Sequence, residues 1–271
     1  MSGALVLLSG GQDSTTCLFW AKEHPLFSPL HALTINYGQR HAVELEAAKR
    51  VAQEAGVASH EVLDIGPILK GTSPLISADV PEQYENWQSL PGGLEKTFVP
   101  ARNILFLTIA ANRAYCLGVP DIICGVSQED FGGYPDCRQL FILQMEVALR
   151  AGLTLDKSEP MGQLTIHTPL INMSKADTVG MAVGLPGCYA ALRYSHTAYD
   201  GAYPPTGKDH ASLLRAKGFE IKGIPDPLVM RAVDEGLMPL PDATNYNTEA
   251  VDWYRRRIEE DARPGTPGGS G

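Results

Sequence analysis

The run Gly3-Ala4-Leu5-Val6-Leu7-Leu8, followed by Ser9-Gly10-Gly11-Gln12-Asp13-Ser14 and then by Thr15 to Glu23, decides how the rest of the chain is read. The small and apolar residues suit a short buried strand. The polar, glycine-rich hexamer breaks it, and apolar residues resume with helical spacing at Thr15. Strand, glycine turn and helix in that order form an anion cradle. Glycines let the backbone fold tightly with several N–H groups facing inward, and the positive end of the helix points at the same spot. Ser9 and Ser14 add hydroxyls, and Asp13 suits Mg²⁺ or a helix cap. Leu8, Gln12 and Thr15 complete the expected contact set. An ordinary capped turn would explain a bare Ser-Gly-Gly; the full hexamer in this place favours phosphate binding. Neither G-x-x-x-x-G-K-[ST] nor G-x-G-x-x-G occurs here, so neither a Walker-type nor a dinucleotide site is indicated.

Outward from this turn the pattern repeats. Leu30 to Asn36 reads as a second strand and Val62 to Ile65 as a third. Between them Arg40 to Ala55 is amphipathic, with Val43, Leu45, Ala47, Ala48, Val51 and Ala52 on one side. A helix is expected over Ala101 to Leu117, a strand over Asp121 to Val126, a helix over Gln139 to Ala151 and a strand over Leu164 to Leu170. Ser174 then opens a helix, with Asp177 placed for a capping box. Five strand–helix alternations predict a parallel five-stranded sheet with helices on both faces. Ligands bind such sheets outside the carboxyl ends of the strands, so the turns at Ser9, Tyr37, Ser127 and Asn172 should gather on one edge. The Pro-, Gly- and Ser-rich stretch from Gly66 to Pro100 has the length of a functional lid. The organisation expected is a catalytic domain over 1–186, a loop and helical appendage over 187–262, and a disordered tail over 263–271. Helices are expected in the appendage at 209–217 and 251–260.

The bulk properties agree with an α/β enzyme. The chain has 271 residues, 44% hydrophobic and 20% charged, enough for one large domain with an appendage. A net charge of −9 argues against a broad nucleic-acid surface. No apolar run has the length of a membrane span, and a cytoplasmic location is expected. Cys17, Cys116, Cys124, Cys137 and Cys188 are scattered and odd in number, which reads as reduced thiols. Cys17 and Cys116 are expected in the packing.

The hexamer Ser9 to Ser14 resembles the S-G-G-x-D-S signature of PP-loop enzymes, which bind ATP and cleave it between the α- and β-phosphates. Further segments narrow the likeness: Tyr37-Gly38-Gln39-Arg40-His41, Val99-Pro100-Ala101-Arg102-Asn103, Gly133-Tyr134-Pro135-Asp136-Cys137-Arg138, His167-Thr168-Pro169-Leu170, Ser174-Lys175-Ala176-Asp177 and Leu214-Arg215-Ala216-Lys217-Gly218-Phe219. This ordered set, over roughly residues 3 to 230, resembles the QueC family of 7-cyano-7-deazaguanine synthases. The resemblance implies a Rossmann-like PP-loop fold. It implies a ligase that forms C–N bonds, using ATP and Mg²⁺ to turn 7-carboxy-7-deazaguanine and ammonia into 7-cyano-7-deazaguanine (preQ0) for queuosine biosynthesis. It also implies small-molecule partners and a homodimer. A related ligase that stops at the amide or takes another acid, and a non-catalytic ATP-binding module, remain open.

On this resemblance Lys175, Arg102 and Asp13 are the candidate catalytic residues, the two cations offsetting phosphate charge. A lysine at a helix start opposes the helix dipole, which points to a functional reason for Lys175. Gly10 and Gly11, with Ser9 and Ser14, should hold the pyrophosphate. Tyr37, Gln39 and Arg40 follow the second strand, where adenine contacts are expected. For the deazaguanine, Glu129, Asp130 and Asp136 offer acceptors to its N–H edge, Phe131 and Tyr134 could stack, and Arg138 could meet the carboxylate. The family's four zinc-binding cysteines match Ala198, Thr206, Asp209 and Ser212 here. Ala cannot ligate and Ser and Thr ligate poorly, so no structural zinc is expected. A rival metal set is His196, Asp209 and His210.

Overall fold

The computed structural model describes residues 3–38, 43–71, 73–76, 82–85, 97–128, 134–198 and 201–262. Its centre is a parallel sheet of β1 (Ala4–Leu7), β2 (Leu30–Asn36), β3 (Ser59–Asp64), β4 (Asp121–Ile123) and β5 (Thr165–His167), in the order β3-β2-β1-β4-β5. Ala4 lies opposite both Leu30 and Asp121, so β1 is central. The chain builds outward from β1 to β3, then returns to the far side of β1 for β4. The carboxyl ends of β1 and β4 therefore flank a crevice where the direction of winding reverses, and this is where the glycine turn stands.

Side chains of a strand alternate between faces, and both faces of this sheet are covered. Ala4, Val6 and Leu8 join one core with Leu18, Phe19, Val51, Val179, Tyr189, Phe219, Met230 and Tyr254. Leu5 joins the other with Leu33, Leu107, Ala110, Ile122, Ile142 and Ile166. The covering helices are α1 (Gln12–Lys22), α2 (Val43–Ala55), α3 (Arg102–Leu117), α4 (Gln139–Leu153) and α5 (Lys175–Gly184). The later helices are α6 (Cys188–Ala191), α7 (His210–Lys222), α8 (Pro227–Asp234) and α9 (Thr248–Asp261). Cys188, Phe219, Met230 and Val251 of these later helices sit in the same apolar cluster as β1.

The capping box forms as its sequence requires. Ser174 Oγ accepts from Asp177 N at 3.2 Å, and the Asp177 carboxylate accepts from Ser174 N at 3.3 Å. That start places Lys175 as the first residue of α5, facing inward and buried.

Several expectations change. Strand β3 begins at Ser59, three residues before the expected start, because His31 to Asn36 of β2 supply pairing partners from Ser59 to Asp64. Strands β4 and β5 are shorter than expected. Helix α7 runs on to Lys222, ending where Gly223 takes a left-handed conformation. Cys17 is buried as expected, but Cys116 is exposed on the outer side of α3. Helix α8 was not expected; its sign was Asp226-Pro227, an acceptor cap followed by a proline at the first helical position. The tail over 263–271 and much of the expected lid, at 72, 77–81 and 86–96, lie outside the described residues.

Candidate active site

The glycine turn ties itself together through hydroxyls. Ser9 Oγ and Ser14 Oγ are 3.0 Å apart, Ser9 N donates to Ser14 Oγ at 3.2 Å, and Ser14 Oγ donates to Gly11 O at 3.2 Å. Gly10 has φ +83°, and a Cβ there would lie 2.6 Å from Glu44 O and 2.7 Å from Ala48 N. Only glycine allows α2 to close on the turn so tightly. Gly11 caps α1 without a side-chain hydrogen bond to the first turn.

Two side chains of this turn carry buried polar atoms short of partners. Gln12 is 4% exposed, and neither Oε1 nor Nε2 of its amide has a hydrogen bond. Asp13 Oδ2 accepts from Lys175 Nζ at 2.7 Å, while Asp13 Oδ1 is buried without a partner. Unpaired buried polar atoms are rare, and here they cluster on the wall of a cavity of about 290 Å³. Gln12→Met is expected to stabilise the ligand-free protein by about 1–2 kcal/mol by removing the unsatisfied amide, and to weaken ATP binding about tenfold. Thermal unfolding and calorimetric titration read the two effects; a less stable variant with unchanged affinity refutes the assignment.

The cavity is lined by Leu8, Ser9, Gly11, Gln12, Asp13 and Ser14 at the turn. Tyr37 and Glu44 line it from the β2 side, Arg102, Asn103 and Phe106 from α3, and Thr97, Tyr134 and Cys137 from the fourth strand's side. Lys175, His196, Thr197 and Arg215 close it below. Arg102 is aimed by its neighbour: Ala101 has φ 62°, a left-handed conformation that costs a non-glycine residue energy and turns the chain sharply at the start of α3. Burial pushes the Tyr37 hydroxyl up; the Arg102 charge opposes this, Glu44 adds to it, and a hydrogen bond with Arg102 opposes it. Tyr37 packs at 5.2 Å on Phe106, and Tyr134 at 5.2 Å on Phe98, so aromatic walls face the cavity from two sides.

Among the expected residues, Leu8, Ser9, Gly11 to Ser14, Tyr37, Arg102, Tyr134 and Lys175 come together. Gly10 and Thr15 stand behind the turn: Gly10 under α2, and Thr15 with its hydroxyl on Gly11 O at 2.8 Å. Asp136 is buried away from the lining. Its carboxylate accepts from Asn103 N at 3.3 Å and so caps the first turn of α3. Burial raises its carboxyl, with the Asn103 N–H and Arg102 opposing. Arg138 is exposed at the start of α4 and is not in the lining. Gln39, Arg40, Glu129, Asp130 and Phe131 lie outside the described residues. Glu44, Asn103, Thr97, Phe106, His196 and Arg215 line the cavity without having been expected there. For Glu44 the readable sign was its place in the first turn of the helix that follows Tyr37.

The residues fit Mg²⁺ in one mode only. Among the described residues no three His, Cys, Asp or Glu side chains converge as a metal set. A Mg²⁺ shared between one carboxylate and nucleotide phosphates needs no such set, and Asp13 Oδ1 is the matching oxygen. The rival set is not assembled as ligands. His196 Nε2 bonds Ala198 O at 2.9 Å, and the Asp209 carboxylate caps α7 by accepting from Ser212 N at 3.1 Å and Ser212 Oγ at 2.6 Å.

This region is instead tied by Arg215. Its guanidinium bridges Asp226 with two bonds of 2.6 and 2.8 Å, and donates to Ser195 Oγ, Thr197 Oγ1 and Leu192 O. The same strap reaches the glycine turn, because His196 N donates to Gly10 O at 2.8 Å. Gly218 lets α7 meet α5: a Cβ there would stand 3.0 Å from Lys175 O.

A glycine turn at the reversal point of a five-stranded parallel sheet, closed by a buried lysine and walled by aromatic rings, defines an α/β domain of the PP-loop type. The chain belongs to the QueC family: the model of "Queuosine biosynthesis protein QueC" matches residues 3–223. Relatives named 7-cyano-7-deazaguanine synthase include one from Gloeobacter violaceus, 49% identical over 84% of this chain and 96% of its own length. Another, from Laribacter hongkongensis, is 44% identical over 84% of this chain and 94% of its own length. Among solved structures, NMN synthetase from Francisella tularensis is 15% identical with a TM-score of 0.42, covering 98% of this chain and 89% of that one.

Proposed function

We propose that the chain converts 7-carboxy-7-deazaguanine and ammonia into 7-cyano-7-deazaguanine at the expense of ATP. The observation that carries this is the Ser9–Ser14 turn with Lys175 and Asp13 at its mouth, in a chain of the QueC family. A carboxylate is a poor electrophile because oxide would have to leave. Transfer of AMP to one carboxylate oxygen makes AMP the leaving group, and ammonia then gives the amide. A second transfer, to the amide oxygen, lets that oxygen depart and leaves the nitrile. The first N–H groups of α1, with Ser9 and Ser14, hold the departing pyrophosphate, and Lys175 and Arg102 offset its charge. Mg²⁺ held between Asp13 and the phosphates would supply further positive charge there. Tyr37, Phe106 and Tyr134 offer faces for the two ring systems.

The same reading covers the setting. The net charge of −9 supports small-molecule partners over nucleic acid. No helix among the described residues is long and apolar enough to cross a membrane, which agrees with a cytoplasmic enzyme. Leu140, Leu143 and Val147 are exposed along one side of α4, which supports a homodimer. Ala198, Thr206 and Ser212 are poor zinc ligands, which supports a chain without structural zinc. Incubation with ATP, Mg²⁺, ammonia and the carboxylic acid should give the nitrile together with AMP and pyrophosphate, read by mass spectrometry. Amide alone would assign the ligase that stops one step short, and unchanged acid would reject the proposal.

A further inference from the structure

The cavity contains a carboxylate that phosphate binding does not explain. Glu44 stands in the first turn of α2 with its backbone oxygen pressed on Gly10, and its side chain lines the cavity with Arg102, Tyr37 and Gln12. Among the described lining residues the carboxylates are Asp13 and Glu44, and Asp13 is engaged by Lys175. Two of the substrates, ATP and a carboxylate, are anions. A second carboxylate beside them raises the energy of both complexes unless positive charge offsets it, and the resident cation that acts on it, Arg102, is shared with the phosphates.

Ammonium, the cationic substrate of the same reaction, has the charge and N–H donors to match that carboxylate. The nitrogen source enters as NH₄⁺ with four N–H bonds and ends in a nitrile with none. Four protons must leave one nitrogen, while the two oxygens of the acid leave on two AMP molecules. Of the two lining carboxylates among the described residues, Asp13 is held by Lys175 in a 2.7 Å ion pair, and Glu44 lies within the influence of the Arg102 charge. We propose that Glu44 receives ammonium and acts as the catalytic base for the nitrogen steps. Its carboxylate takes one proton from NH₄⁺, giving NH₃ and a neutral carboxyl. The nitrogen lone pair forms the C–N bond, the C–O bond to AMP breaks, and AMP departs with that electron pair. Glu44 releases each proton to solvent and takes the next, including the two lost as the adenylated amide becomes C≡N.

The surroundings suit repeated proton exchange. Desolvation pushes the Glu44 carboxyl up to about 7, with the Arg102 charge of α3 pulling the other way. Among the described residues Tyr37, after β2, is the other titratable group that faces it, and burial raises that hydroxyl. A base that titrates near neutrality can both accept a proton and give it up.

The inference rests on the synthase reading, so wild-type nitrile formation is measured first; its absence would count against that reading and not against Glu44 in particular. Glu44→Gln is then compared in two assays. kcat/KM for ammonium should fall about 10²–10⁴-fold, at least about tenfold further than pyrophosphate release without ammonia changes. The residual rate should follow free NH₃ and rise about tenfold per pH unit below the ammonium pKa, whereas wild type should level off above about 7 at fixed total ammonium. Glu44→Asp should recover part of the loss. Equal losses in both assays, or an unchanged response to ammonium, would overturn the proposal and leave Glu44 as a brace for Arg102 and the glycine turn.

Discussion

Lys175→Met is expected to lower turnover about 10²–10³-fold, the loss typical when one preorganised donor to a developing anion is removed. It should also cost stability, because Lys175 Nζ and Asp13 Oδ2 form a 2.7 Å ion pair whose side chains are 9% and 17% exposed. Removing one partner strands the other charge, at a cost of about 3 kcal/mol. The double variant Lys175→Met with Asp13→Asn separates the two effects. It should regain most of the lost stability in urea unfolding and regain no activity. Recovery of turnover in the double variant, or near wild-type rates in the single one, would remove Lys175 from the reaction.

Asp226→Ala is expected to produce the largest loss of stability. Arg215 and Asp226 are 3% and 5% exposed, and the carboxylate also accepts from Leu228 N at 2.9 Å as the cap of α8. An arginine left buried without its partner costs about 3–5 kcal/mol, which for a chain of this size moves the thermal midpoint down by about 10 °C. The damage should reach the nucleotide, since Arg215 holds Ser195 and Thr197 on either side of His196, whose N–H meets Gly10 O. ATP affinity measured below the lowered midpoint should therefore fall too. If this strap takes the place of bound metal, chelator should leave the wild-type midpoint unchanged and purified protein should carry no stoichiometric zinc. A small shift on Asp226→Ala together with a large shift on chelation would reverse both statements.

Local chemistry made much of this protein legible before any coordinates. The strand, glycine turn and helix at Ala4 to Lys22 follow from residues that must take those conformations wherever they occur, and the Ser174–Asp177 box announces α5 by itself. Alternating periods settled the parallel sheet. Boundaries were less legible: β3 extends to Ser59 because β2 offers it partners, a reason that lies in the other strand. Site residues divided the same way. The glycine turn, Tyr37, Arg102, Tyr134 and Lys175 were recognisable and do line the cavity. Asp136 carried the right chemistry for a base-edge acceptor but is committed to the first turn of α3.

The sequence by itself determined the class of fold, the place of the glycine turn on the edge of the sheet, and the set of cations near it. These depend on short-range backbone preference and on the period of apolar residues. Tertiary structure alone decided that Lys175 meets Asp13 across 162 residues, that Glu44 faces Arg102, and that Arg215 rather than a set of thiolates ties the later helices to the glycine turn. Burial turns those charges into strong interactions by removing the water that would screen them, and which charges are buried together is a property of the packed helices, not of any stretch of chain.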